Sequence, residues 1–256
     1  MFIALITALA LAGNSPSTQA AASSSASATA ASAPLREVVY KVTFTRRREV
    51  SSETYGGSVQ NPVSAGAQSA QAPPFAQSNS DATDSGTVTV DVMQVASDAL
   101  GVRVKEQWTN STPSATYLGN VGADGSVNFT DGQLNECTRA ILEYFGPSVM
   151  AGQPANSGVA WTRTSKGATA DIDTTYSVGD IVGAIANIHE QSTVKSKSIS
   201  MIDTVVTIDV QYKPATLAPV SGRIVMHASR TGASSVTNVT TVGNFQRVSD
   251  TRDSGQ

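Results

Sequence analysis

The chain has 256 residues, 14 % of them charged, a formal net charge of −3 and one cysteine. Ordinary soluble domains carry roughly 25 % charged residues, and a balance this sparse and slightly acidic leaves no basic face for nucleic acid. A single thiol makes no internal disulfide, so the fold has to rest on packing and strand pairing.

Met1 to Ala12 is an apolar run closing on Ala10-Leu11-Ala12, the small-x-small pattern of a signal cleavage site. It is too short to cross a bilayer core, which takes about 20 residues, and the basic flank that usually precedes such a run is missing. The expectation is a signal peptide over 1–12 and an exported protein, periplasmic or extracellular, with no transmembrane helix after its removal. No cysteine sits near the cleavage site to carry a lipid anchor. From Ala20 to Ala33 every residue but Thr29 is Ala or Ser. With no large side chain to bury, residues 13–34 read as a flexible linker.

A β-rich domain is expected over 35–248. Val38, Tyr40, Val42 and Phe44 alternate through the first strand, the period-2 pattern of a half-buried ribbon. Residues 56–86 hold Gly56-Gly57, Pro62 and Pro73-Pro74 among Ser, Ala, Gln and Asn, and read as a long disordered loop. Thr87 to Ala96 and Gly101 to Thr109 form a hairpin, with Val88, Val90 and Val92 facing Val102, Val104 and Trp108. Ala115 to Val121 is a further strand, and the Asp124-Gly125 turn leads to Val127 and Phe129.

One helix is expected after Thr130, an N-cap with Gln133 completing a capping box. Leu134, Cys137, Ile141, Tyr144 and Phe145 make its apolar stripe, and Gly146-Pro147 stops it. Strands follow at 159–163, 171–178, 181–190, 204–212, 222–229 and 234–247, and 249–256 is read as a disordered polar tail. Consecutive strands with short polar links argue for an antiparallel meander rather than βαβ units. The fold class expected is mainly β with one short α-helix: an antiparallel, strongly curved sheet or open barrel-like meander packed on the helix.

Motifs that carry chemistry are missing. There is no phosphate-cradling loop, no Gly-x-Gly-x-x-Gly and no nucleophile elbow. Two histidines, His189 and His227, and Cys137 make a poor zinc set, so neither a metal nor a cofactor is expected. Asp171 and Asp173 share a strand face, with Asp180 nearby; such carboxylates serve Ca²⁺ or acid/base work, and more often solvate a face. Arg46-Arg47-Arg48 suits an anionic group or the protection of a strand from edge pairing, and Lys195 and Lys197 suit a solvated hairpin. Asn110, Asn128 and Asn238 begin glycosylation acceptor triplets.

In the order of its parts, over roughly residues 35–248, the chain is loosely similar to the periplasmic lipoprotein carriers. The resemblance is one of arrangement and rests on no motif; it implies a curved antiparallel sheet that wraps a helix and holds an acyl chain. The first functional expectation is a binding or carrier protein for an apolar or lipid-like ligand, lined by Tyr40, Phe44, Trp108, Trp161 and Tyr176. The alternative is a structural or assembly protein of the envelope, working through protein contacts. A hydrolase using Asp171, Asp173 or His189 ranks third. A cavity beneath the helix would favour the carrier, a filled core with exposed edges the assembly protein.

Overall fold

The computed structural model describes residues 33–52, 76–110, 114–123, 126–129, 134–146, 156–167, 170–197, 202–231 and 235–252. The expected signal peptide, almost all of the linker, residues 56–75 of the expected loop and the Thr130–Gln133 capping box lie outside them.

Period-2 alternation becomes strand wherever one parity is apolar. The elements in chain order are β1 (Arg36–Ser52), β2 (Ala76–Val95), β3 (Ala99–Trp108), β4 (Ala115–Gly122), β5 (Val127–Phe129), α1 (Glu136–Glu143), β6 (Ala160–Lys166), β7 (Ala170–Val182), β8 (Ile185–Ser196), β9 (Ile202–Lys213), β10 (Ala218–Thr231) and β11 (Ser235–Asp250). All pairings are antiparallel, in one eleven-stranded sheet ordered β5-β4-β3-β2-β1-β11-β10-β9-β8-β7-β6. β5 and β6 are its two free edges, so the sheet is not closed into a barrel. Two meanders, β1–β5 and β6–β11, are thus welded along β1 and β11, and the passage from one edge to the other carries α1.

Four sequence expectations need correction. Residues 76–86, read as loop, belong to β2, which pairs with β1 from Arg36↔Val92 to Ser52↔Ala76. Ser78 to Thr83 are exposed, so the ladder holds this stretch without a buried face and no apolar alternation announces it. Residues 181–190 are not one strand: Gly183, at φ +62°, turns the chain between β7 and β8. The segment 249–256 is not wholly a tail, because β11 continues to Asp250 and the Thr251 N–H donates to the Glu37 carbonyl. The helix is capped by Asn135, whose side chain accepts from the Cys137 N–H at 2.9 Å. Its expected stripe holds: Leu134, Cys137, Ile141, Tyr144 and Phe145 are all buried. Gly146, at φ +98°, ends it, as a left-handed residue does after a helix.

The sheet is strongly curved, and α1 supplies the measure. The Asn135 N–H donates to Glu106 on β3, and the Tyr144 hydroxyl to Glu190 on β8. Six strand spacings separate β3 from β8, roughly 29 Å in a flat sheet at about 4.8 Å each. The ten residues from Asn135 to Tyr144 span only about 15 Å, so the two wings have to fold toward each other around the helix. Register shifts on β1/β11, β2/β3, β9/β10 and β7/β8 all fall toward the end of the sheet where β1 starts; such bulges bend and twist strands. Bare backbone aids the packing inside. Gly86, Gly119 and Gly222 lie opposite Trp108, Phe129 and Phe245, whose rings occupy the space a Cβ would need.

Candidate functional site

The inward parity of β1, β2, β3 and β8–β11 supplies the core, from Val38, Val88 and Val104 to Ile188, Ile208, Val210 and Ile224, and α1 lies against it. Cys137 seats the helix. Its Sγ rests on the bare backbone of Gly243 in β11, where any Cβ would overlap it. Burial, then the charges of Glu136 and Glu106, push the Cys137 thiol up to about 12, so it is inert at neutral pH.

Each end of α1 is held by a buried glutamate from the sheet. Glu106, on β3, accepts from the Asn135 N–H at 3.1 Å and from the Trp108 indole N–H at 3.2 Å. A carboxylate there also suits the positive end of the helix dipole. Glu190, on β8, accepts from the Tyr144 hydroxyl at 2.6 Å and from Ser192 Oγ at 2.9 Å; Ser192 Oγ is also 2.8 Å from Thr174 Oγ1.

Glu143, in the last turn of α1, lines the same cavity as Glu190. Burial and the neighbouring Glu190 charge push its carboxyl up to about 8, against the pull of Arg139 and Arg163. Burial also raises Glu190, opposed by its hydrogen bonds from Tyr144 and Ser192 and by the charges of Arg163 and His189. Two carboxyls in one poorly solvated place cannot both ionise cheaply, so the pair holds on to a proton into the neutral range.

Beneath the helix lies a cavity of about 50 Å³, with Ile172, Val194, Val206, Ile208, Ile224 and Met226 as its apolar floor. The Glu143–Glu190 pair stands at its side. That volume admits water, whereas small-molecule sites usually run about 300–1,000 Å³.

The five aromatics expected to line a ligand pocket are divided among three places. Tyr40 is fully buried, edge-on to Phe245 at 6.0 Å, and its hydroxyl donates to the Pro219 carbonyl. Phe44 and Trp108 form an edge pair at 5.3 Å on the β1–β3 wing. Trp161 and Tyr176 stack at 5.1 Å on the opposite wing. None of the five lines the cavity under α1.

Most of the other sequence candidates are engaged on the outer face, whereas Arg46 and Arg48 share the inner parity of Phe44. Asp171 pairs with Lys197 at 2.7 Å, Asp173 accepts from Thr164, and His227 Nδ1 is 3.1 Å from Thr240 Oγ1. Arg47 pairs with Glu49, while Arg46 and Arg48 are exposed. His189 Nδ1 lies 2.7 Å from Asp209 Oδ1. Among the described residues, no group of three His, Cys, Asp or Glu side chains is placed to hold a metal ion.

Sequence reasoning missed Glu106, Glu143 and Glu190. For two of them the signal was present: Glu106 shares its parity with Val102 and Val104, and Glu190 with Ile188 and Val194. A carboxylate on the apolar parity of a strand is seldom buried without a partner.

Compared with known proteins, the sequence matches no family model and no curated relative.

Proposed function

We propose that this protein is an exported carrier that binds an apolar, lipid-like ligand between α1 and the inner face of the sheet. The observation that carries the reading is how α1 is attached. It is held at its two ends by buried carboxylates, and between them it roofs an apolar floor with space left beneath. The closed cavity of about 50 Å³ is too small for an acyl chain. Loading therefore requires α1 to lift, with the ligand taking the place of the helix over Ile172, Val194, Val206 and Met226. Phe44, Trp108, Trp161 and Tyr176, on the two wings, would then border the opened groove. Among the described residues no helix is long and apolar enough to cross a membrane.

Native mass spectrometry of the exported protein, without detergent, tests the reading. The expected result is a bound mass lost on denaturation, or uptake of oleate or phosphatidylglycerol from vesicles. Met226→Trp and Val206→Trp, which fill the floor, should abolish it. A clean apo mass with no uptake from either source would sink the carrier reading.

A second reading has its own observation. Leu35, just before β1, Val95 on β2 and Val248 on β11 are 68 %, 60 % and 55 % exposed, at the same end of the sheet. Apolar side chains gathered on such a rim suit a protein contact, and would serve an assembly protein of the envelope.

A further inference from the structure

The outer face of the sheet holds a hollow of about 740 Å³, within the usual range of small-molecule sites. Its walls are two cross-strand rows fixed by register. Lys41, Gln246, Ser221, Gln211 and Asn187 face one another across β1, β11, β10, β9 and β8. One step along, Thr43, Asn244, Arg223, Asp209 and His189 do the same. Phe245, Ile188 and Val210 also border the hollow, but their parity is the inner one and their side chains are at most 3 % exposed. They close its floor with backbone. Apart from the His189 imidazole, the outward side chains around it are polar or charged, so a ligand here is recognised chiefly by hydrogen bonds and charge.

The charges say which kind. Elsewhere on this face Lys197 pairs with Asp171 and Arg47 with Glu49. Lys41 and Arg223 have no ion pair or side-chain hydrogen bond with any described residue, and the same holds for Asn244 and Gln246 beside them. The hollow's carboxylate, Asp209, is already held through Oδ1 by His189. Two unpartnered cations flanked by amides and hydroxyls suit an anionic group, with the guanidinium able to take a carboxylate or phosphate through two parallel bonds. The amides and Asp209 suit hydroxyls. We propose that this hollow binds a small anionic, hydroxyl-rich molecule: a sugar phosphate or a sugar acid. The site lies on the opposite face of the sheet from α1 and stands whether or not the carrier reading does.

Calorimetric titration of the full chain with glucose 6-phosphate, glucuronate, glucose and inorganic phosphate is the test. One of the two anionic sugars should bind about tenfold or more tightly than glucose and than phosphate, since a hydrogen bond to a charged group is the stronger kind. Which of the two binds identifies the source of the anion. Arg223→Gln and Lys41→Gln should each weaken that binding by about tenfold. Both side chains are exposed, so the urea midpoint should not move. No binding of either anionic sugar, equal binding of glucose or of inorganic phosphate, or unchanged binding by both variants would overturn the proposal.

Discussion

At the scale of single residues, one contact sets how closely the helix approaches the sheet. Gly243 is glycine because Cys137 Sγ occupies the space of its Cβ, and the thiol, only two bonds from the helix backbone, has little room to swing aside. Gly243→Ala should therefore destabilise the protein by about 1–3 kcal/mol, the usual cost of an overpacked core. The cause is separable from any intrinsic effect of alanine in the strand. The Cβ of Cys137 is 3.8 Å from the added methyl, an ordinary contact, so in a Cys137→Ala background the same substitution should cost much less. A double-mutant cycle in urea measures the coupling. Equal costs in both backgrounds would show that the thiol does not seat the helix. Thiol modification gives an independent readout: Cys137 should be unreactive in the native protein and become reactive in Gly243→Ala as α1 rises.

At the scale of the element, α1 owes its position to carboxyls, and this makes its docking sensitive to pH. Glu143 is held up to about 8 by burial and by Glu190, whereas a glutamate in the unfolded chain titrates near about 4.3. The folded state thus binds a proton that the unfolded chain has released. Stability from that proton is complete below about pH 4.3 and is lost as pH rises toward 8. Urea midpoints should fall from pH 5 to pH 8 in the native protein, and Glu143→Gln should flatten the profile and be the more stable at pH 8. A native profile flat across this window would remove the shared proton from the account. The helix also shows what a sequence can and cannot disclose. Its stripe from Leu134 to Phe145 was legible because burial imposes a period of 3.6. Most strands from Thr87 onward were legible because one face is apolar, although the turn at Gly183 between β7 and β8 was not. The first half of β2 was not, since it is held by pairing alone and looks like a linker. The site was legible only in part. Tyr40, Phe44, Trp108, Trp161 and Tyr176 all reach the inner side, yet nothing local to them reveals that they divide into a core residue and two pairs on facing wings. The glutamates that hold α1 come from strands six places apart, and only the topology brings them together.

At the scale of the molecule, everything depends on the seam between β1 and β11, because it alone joins the two meanders into one sheet. A clasp closes the seam at one end. Arg36 Nε and a terminal nitrogen reach the two oxygens of Asp250 at 2.9 and 2.5 Å, across 214 positions of sequence, and Arg247 adds a third bond at 3.0 Å. The Arg36 guanidinium lies 5.1 Å from the centre of the Phe145 ring, just after α1, so the clasp also bears on the helix. Both partners are buried. Removing Asp250 leaves the Arg36 charge without solvent or its carboxylate, and breaking a buried pair in this way typically costs about 3–5 kcal/mol. Burial would raise the Asp250 carboxyl, but the hydrogen bonds from Arg36 and the Arg252 N–H, with the charges of Arg36 and Arg247, hold it below the ordinary value. A depressed carboxyl contributes stability that is present above its unfolded value, about 3.9, and is lost as pH falls through the folded one. Asp250→Asn should therefore be markedly less stable than the native protein at pH 7, and the gap should narrow progressively below about pH 4. Since the seam is the strand pairing that unites the wings, the variant should also unfold with a broader urea transition as β1–β5 and β6–β11 lose part of their common cooperativity. A gap that persists undiminished into acid would place the effect of the substitution elsewhere than in this ion pair.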